Sequence, residues 1–169
     1  HYKTGAPIPA ELLGRMKAAR NANAGFEAVE MTSSALLDMA YHTQKAGELA
    51  DADTIERDTL AQIGMPDEIV LRHASPHFLH IFSGDGYSAG YYSYLWSEVL
   101  DADGFEAFDE AGDPFDPATA KRLYDYVYSA GGSRDFAEAY RLFRGRDPDP
   151  SAMLKQRGLL ALEPVEDTT

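Results

Sequence analysis

The sequence contains no cysteine, so neither disulfides nor thiolate metal ligands enter its chemistry, and it suits a reducing or an oxidising compartment equally well. Cations are also scarce. Fifteen Lys and Arg stand against 28 Asp and Glu in 169 residues, a formal net charge of −13. Such a surface repels the phosphates of nucleic acids and anionic membranes, and the basic residues are scattered rather than gathered into a patch. Neither nucleic acid nor membrane is expected as a partner. No apolar run approaches the roughly 18 residues of a membrane-crossing helix. No basic region followed by an apolar stretch marks a leader, and the chain opens on His1-Tyr2-Lys3 rather than Met, so it is expected to begin inside a longer polypeptide. Internal repeats and low-complexity segments are missing too. What remains is 44% apolar and 25% charged, the profile of a soluble globular chain with enough residues for one core.

Helical signals dominate. Pro9-Ala10-Glu11 opens a segment with Leu12, Leu13, Met16 and Ala19 on one stripe. A second helix is predicted from about 25 to 42, where Phe26, Val29, Leu36, Leu37 and Ala40 recur at the spacings of a core-facing helix. Asp53-Thr54 can cap a third, which Gly64-Met65-Pro66 terminates. Between 67 and 86 the short apolar runs Ile69-Val70-Leu71 and Phe78 to Phe82 fit either short strands or buried helical turns. Helical pattern returns from Tyr87 to about Phe108. Asp116-Pro117, Ser133 and Asp149-Pro150 open three later helices, and Gly131-Gly132, Gly145 and Gly158 close them. The expected fold class is mainly α, in one domain or part of one over 1–162, with a frayed acidic tail over 163–169.

The informative stretch lies between 77 and 96. Four tyrosines fall within eight residues, and on a helix Tyr87, Tyr91 and Tyr94 would share a face at i, i+4 and i+7. Tyr92, Leu95 and Val99 would fall on a packing face. Ser88, Ala89 and Gly90 are small enough to let a backbone or ligand approach, and the loop Ser83-Gly84-Asp85-Gly86 precedes them. A phenol is a neutral donor at pH 7. A row of phenols can bind a peptide backbone, and one of them can donate to an oxyanion as charge develops there. The same spacing also describes an aromatic core stripe with its hydroxyls at a boundary.

The five histidines are His1, His42, His73, His77 and His80, and no His-Glu-x-x-His occurs. His73 and His77 have the outer spacing of such a motif, but Pro76 interrupts the turn and no carboxylate takes the general-base position. No metal ligands are assigned within the chain. His73 and His77 read as loop or boundary residues, with substrate contact a further role for His77. The acids from Asp101 to Asp116 lack the alternation of a calcium loop and read as solvated helix surface. Asp38, on an otherwise apolar helix, reads as a boundary residue, with an orienting role towards a missing upstream element as the alternative.

The stretch from His80 through Gly86-Tyr87-Ser88-Ala89-Gly90-Tyr91-Tyr92-Ser93-Tyr94-Leu95-Trp96 resembles the carboxy-terminal signature of the M3 metallopeptidases. Tyr2 to Pro9, Gly131 to Asp135, Phe143 to Pro148 and Leu154 to Leu159 extend the likeness over nearly the whole chain. The resemblance implies a largely helical, two-lobed enzyme with one zinc, whose bound water attacks a peptide carbonyl. It implies that Tyr94 stabilises the oxyanion and His80 assists. Tyr87 and Tyr91 would line the substrate side, with Gly84, Asp85 and Gly86 in a loop that closes over the peptide. The zinc would be held by residues outside this chain, on an upstream part of the same enzyme, so this chain alone is expected to be inactive. The expected substrates are short peptides, and the expected location is cytoplasmic, with the periplasm as the alternative. The Gly84 to Gly86 loop and the Lys3 to Pro9 segment look closer to the peptidyl-dipeptidase branch, which releases C-terminal dipeptides. A thimet-like endo-oligopeptidase and a non-catalytic helical peptide-binding module are the competing readings.

Overall fold

The computed structural model describes residues 1–47 and 50–160. The acidic tail expected over 163–169 lies outside the described residues. Among these residues the chain is mainly α, without strands. The ambiguous stretch 67–86 forms a 3-10 turn at Ser75–His77 and the short helix α4, Leu79–Phe82, placed in chain order after α1 (Ala10–Arg20), α2 (Ala24–His42) and α3 (Ala52–Gln62). Beyond it come α5 (Ser93–Ala111), α6 (Pro117–Leu123) with a π-helical turn over Tyr124–Tyr128, α7 (Phe136–Arg144) and α8 (Ser151–Gln156).

The chain divides into two compact units, residues 23–96 and residues 1–22 with 97 onward, and the division falls within α5. In the first unit Ala35, Leu37, Ile55, Leu71, Phe78, Ile81 and Tyr91 form the core. The periodicity of α2 predicts that Phe26, Val29 and Leu36 face this core, but all three are exposed. Leu37 is buried as predicted, and the residues buried with it are Ser33, Ser34, Ala35 and Asp38. Small polar residues can lie there because they are already satisfied: both serine hydroxyls donate to the Glu30 carbonyl at 3.1 Å. The cap of α3 is Asp51 rather than Asp53, its carboxylate accepting from the Thr54 amide at 3.0 Å.

In the second unit Val99, Ala102, Ala152 and Met153 pack together. The apolar stripe of α1 is not core, since none of its residues is buried. The predicted Asp-Pro opening of α6 is present, with Asp116 accepting from the Thr119 amide at 2.7 Å. Asp135, not Ser133, caps α7 by accepting from the Glu138 amide, and Gly145 closes that helix in the left-handed conformation at φ 80°. The polar centre of the unit is Asp103, whose carboxylate is buried. It accepts from the Tyr140 hydroxyl at 2.5 Å, from Arg146 at 2.5 Å and from Arg144 at 3.4 Å. Arg144 also pairs with Glu110 at 2.8 Å. Burial pushes the Asp103 carboxyl up, but the hydrogen bonds from Tyr140, Arg146 and Arg144 outweigh it and hold the group below the usual aspartate range.

Candidate functional site

The tyrosine segment departs from its sequence pattern in one respect that shapes the site. A helix beginning at Tyr87 is predicted, but α5 begins at Ser93. Residues 87–93 instead run through consecutive tight turns, with Gly90 donating to Tyr87 at 2.9 Å and Ser93 to Gly90 at 3.0 Å. Ala89 adopts φ 54°, a left-handed conformation that costs a residue with a Cβ about 1–2 kcal/mol. The compensation comes from α2. Asp38, fully buried, accepts the Ala89 amide on one carboxylate oxygen and the Tyr91 amide on the other, each at 2.9 Å. His42, one turn later on α2, brings Nδ1 to 2.7 Å from the same carboxylate. Two amides that a helix would bond to its own carbonyls are taken by a distant side chain, so the segment cannot be helical there. Ser88 adds a local tie, donating to the Ile81 carbonyl at 2.8 Å.

The turn nevertheless brings the three predicted tyrosines together. The Tyr87 and Tyr94 rings stack at 5.5 Å and 9°, and the Tyr94 hydroxyl donates to the Tyr87 hydroxyl at 2.8 Å. Tyr91 meets Tyr94 edge-on at 5.1 Å. Unlike its two neighbours it is buried, with its ring against Phe78 at 4.8 Å. Burial raises the Tyr91 hydroxyl above its ordinary range. The hydrogen bond to Tyr87 raises Tyr94, because a donating phenol gives up its proton less readily. Both phenols are therefore neutral donors throughout the physiological range. Tyr92, predicted to pack, is exposed.

His80 presents its ring to Tyr87 at 5.7 Å and to Tyr91 at 5.9 Å. His73 joins it, with the two imidazoles 5.6 Å apart and His73 stacked on Phe78 at 5.1 Å. Burial lowers the His73 imidazole, and the charges of Arg72 and His80 lower it further, so it is neutral near pH 7. A pocket of about 240 Å³ is lined by Met31, Arg72, His73, His80, Tyr91 and Tyr94. His77 is exposed on the 3-10 turn, and Gly84, Asp85 and Gly86 are exposed after α4; none of the four lines this pocket. Neither Gly84 nor Gly86 has a left-handed backbone, and an added Cβ at either would meet nothing within 4 Å. Local packing therefore does not require glycine at those positions.

Sequence reasoning missed Met31 and Arg72 as pocket walls, because nothing in their spacing marks them, and read His73 as a loop or boundary residue. Asp38 did carry a signal, an acid on an apolar helix, but its partner 53 residues away is invisible in the pattern. Among the described residues no three His, Asp or Glu side chains stand close enough to hold a metal ion, and no helix is long and apolar enough to cross a membrane.

The arrangement gathers phenol hydroxyls, two imidazoles and one guanidinium around a small pocket. The profile of Peptidase family M3 matches residues 1–159. Dipeptidyl carboxypeptidase of Escherichia coli (strain K12) is 40% identical over 161 residues, covering 94% of this chain and 23% of that protein. Oligopeptidase A of the same strain is 39% identical over 163 residues, with the same two shares. Oligopeptidase A of Haemophilus influenzae is 35% identical over 164 residues, covering 95% of this chain and 23% of that protein. The chain thus spans about a quarter of the length of the curated relatives it matches.

Proposed function

Because this chain belongs to peptidase family M3, we propose that it forms the substrate-gripping and oxyanion-stabilising wall of an enzyme that hydrolyses short peptides. The observation that carries the reading is the joined pair Tyr87 and Tyr94, stacked and hydrogen-bonded, with Tyr94 lining the same pocket as His80 and Tyr91. Tyr94 is the oxyanion donor. Tyr94 is 40% exposed, and its hydroxyl is bonded only to another phenol, a bond it can exchange for a carbonyl oxygen that gains negative charge. Tyr87 holds the ring in register by stacking and accepts the hydrogen bond from the Tyr94 hydroxyl in the resting state. Tyr91 braces the set from the core. His80 assists as a polar ring beside the reacting carbonyl. Gly84, Asp85 and Gly86, exposed and free of packing, serve as a loop that closes over the peptide, and His77 touches substrate outside the pocket.

Zinc, which the family resemblance implies, has no fitting ligand set among the described residues. We assign it to residues outside this chain, on the remaining part of the enzyme, and expect this chain alone not to hydrolyse peptides. Release of C-terminal dipeptides is the preferred reaction. The similar proteins bear both dipeptidyl carboxypeptidase and oligopeptidase names, so identity alone does not separate that reaction from internal cleavage.

The test is Tyr94→Phe in the complete enzyme. Loss of one oxyanion donor lowers kcat by roughly a hundredfold or more with little change in KM. Turnover near that of the unaltered enzyme removes Tyr94 from the chemistry and the reading with it.

A further inference from the structure

We infer that the second unit holds a ligand site of its own: a pocket between α5, the π-helical turn and α7 that binds a small organic ammonium ion carrying an aromatic or other bulky apolar group. The pocket measures about 320 Å³, at the lower end of the range in which ligand sites fall. That is room for one ring and its substituent rather than for a long chain. Phe108 and Phe143, both buried, form its floor, with Leu100, Leu123 and Val127 around them. The Tyr140 hydroxyl is not free for a ligand, because it already donates to Asp103 at 2.5 Å.

Two features of the backbone open this space. Gly104 stands inside α5, one turn after Leu100 and one turn before Phe108. Glycine weakens a helix interior, and no crowding demands it here: within 4 Å an added Cβ would meet only Phe143 Cε1 at 3.6 Å, an ordinary contact. What the missing side chain provides is volume in the pocket that Gly104 lines. On another wall the chain runs as a π-helical turn over Tyr124–Tyr128, with the Ser129 amide donating to the Tyr124 carbonyl at 2.8 Å. The wider i→i+5 turn lets Val127 and Tyr128 both line the pocket together with Leu123. Turns of this kind are rare and occur often at functional sites.

Charge selects the occupant. Asp101 is the one charged residue that lines the pocket, on the same face of α5 as Phe105 four residues on. Glu98, Asp103, Glu106 and Glu110 of that helix each pair with an arginine or a lysine, whereas Asp101 meets no such partner among the described residues. Phe105 and Tyr128, 47% and 71% exposed, line the same space. A carboxylate and the faces of aromatic rings both attract a cation. The apolar floor requires that this cation carry a hydrophobic body. A free arylalkylamine has this chemistry, and so has the amino-terminal residue of a peptide.

The test is made on the complete enzyme, with the methyl groups of Leu100, Leu123 and Val127 followed by NMR. The probes are phenethylamine, its uncharged counterpart phenethyl alcohol, and phenylalaninamide, which adds the carbonyl of an amino-terminal residue. Both amines shift the methyl signals saturably, and phenethylamine binds about fivefold or more tightly than the alcohol. Tighter binding of phenylalaninamide than of phenethylamine assigns the site to peptide amino termini; phenethylamine binding at least as tightly assigns it to free amines. Asp101→Asn abolishes the advantage of the amines and leaves the alcohol's affinity unchanged. Because Asp101 is exposed, its replacement leaves the unit folded. Gly104→Leu fills the pocket and abolishes binding of all three probes, while peptide hydrolysis persists. Methyl signals that stay in place with every probe, as they would were the pocket covered by another part of the polypeptide, overturn the inference. So do equal affinities for amine and alcohol, a preference that survives Asp101→Asn, or binding that survives Gly104→Leu. None of these outcomes touches the tyrosine pair or the reading built on it.

Discussion

The Tyr91 amide donates to the Asp38 carboxylate at 2.9 Å across 53 residues of sequence. With the Ala89 amide on the other oxygen, one buried side chain of α2 sets the backbone that aims Tyr87, Tyr91 and Tyr94. The tyrosines owe their grouping to this clamp rather than to a shared helix face.

Asp38→Ala should therefore loosen the tyrosine segment before anything else. Two buried amides lose their acceptor, at about 1–3 kcal/mol each. Urea unfolding reads the total, and hydrogen exchange at the Ala89 and Tyr91 amides reads the location. Faster exchange confined to residues 87–93 is the expected pattern; exchange rates unchanged there would dismiss the clamp.

Tyr87→Phe tests the hydroxyl pair from its other end. The hydrogen bond to Tyr87 is the leading reason why Tyr94 holds its proton above the ordinary phenol value of 10.0. Removing the acceptor lowers the Tyr94 titration midpoint towards that value, as followed by ultraviolet or NMR titration. A midpoint that stays in place would mean that the 2.8 Å contact is not made in solution.

Asp103 links stability to pH in the other unit. Its folded carboxyl lies below the ordinary value of 3.8, so the folded state binds fewer protons than the unfolded chain. The stability it contributes is fully present above that ordinary value and disappears as pH falls through the lower, folded value. Glu110, held down first by its hydrogen bond from Arg144, acts in the same sense. Asp103→Asn should cost about 3 kcal/mol near neutral pH, the low end for a broken buried pair because Glu110 still serves Arg144. The gap between variant and unaltered protein should narrow as the medium is acidified below about pH 5. Denaturation midpoints measured across that range decide it, and a gap independent of pH would assign the cost to packing.

Much of this architecture is legible in the residues themselves. Asp116-Pro117, Gly145 and Gly158 mark helix ends through local chemistry, a carboxylate that reaches an amide three residues on or a backbone that turns left-handed, and local chemistry travels with the sequence. Ser133 and Asp53 were the wrong caps because several polar residues compete within two or three positions, and geometry picks one. The buried face of α2 misled for a different reason. Periodicity marks apolar residues, and Phe26, Val29 and Leu36 are apolar but exposed, whereas the buried Ser33 and Ser34 bond to their own helix.

The sequence by itself determined that the chain is helical and that the family is M3, since each of these rests on neighbours along the chain. Only the tertiary structure decided that Tyr91 is buried while Tyr94 stays accessible, that Arg72 and His73 join the pocket, and that Asp38 fixes the turn. These contacts join residues dozens of positions apart, and a hydrogen bond between distant groups leaves no period in the sequence from which it could be read.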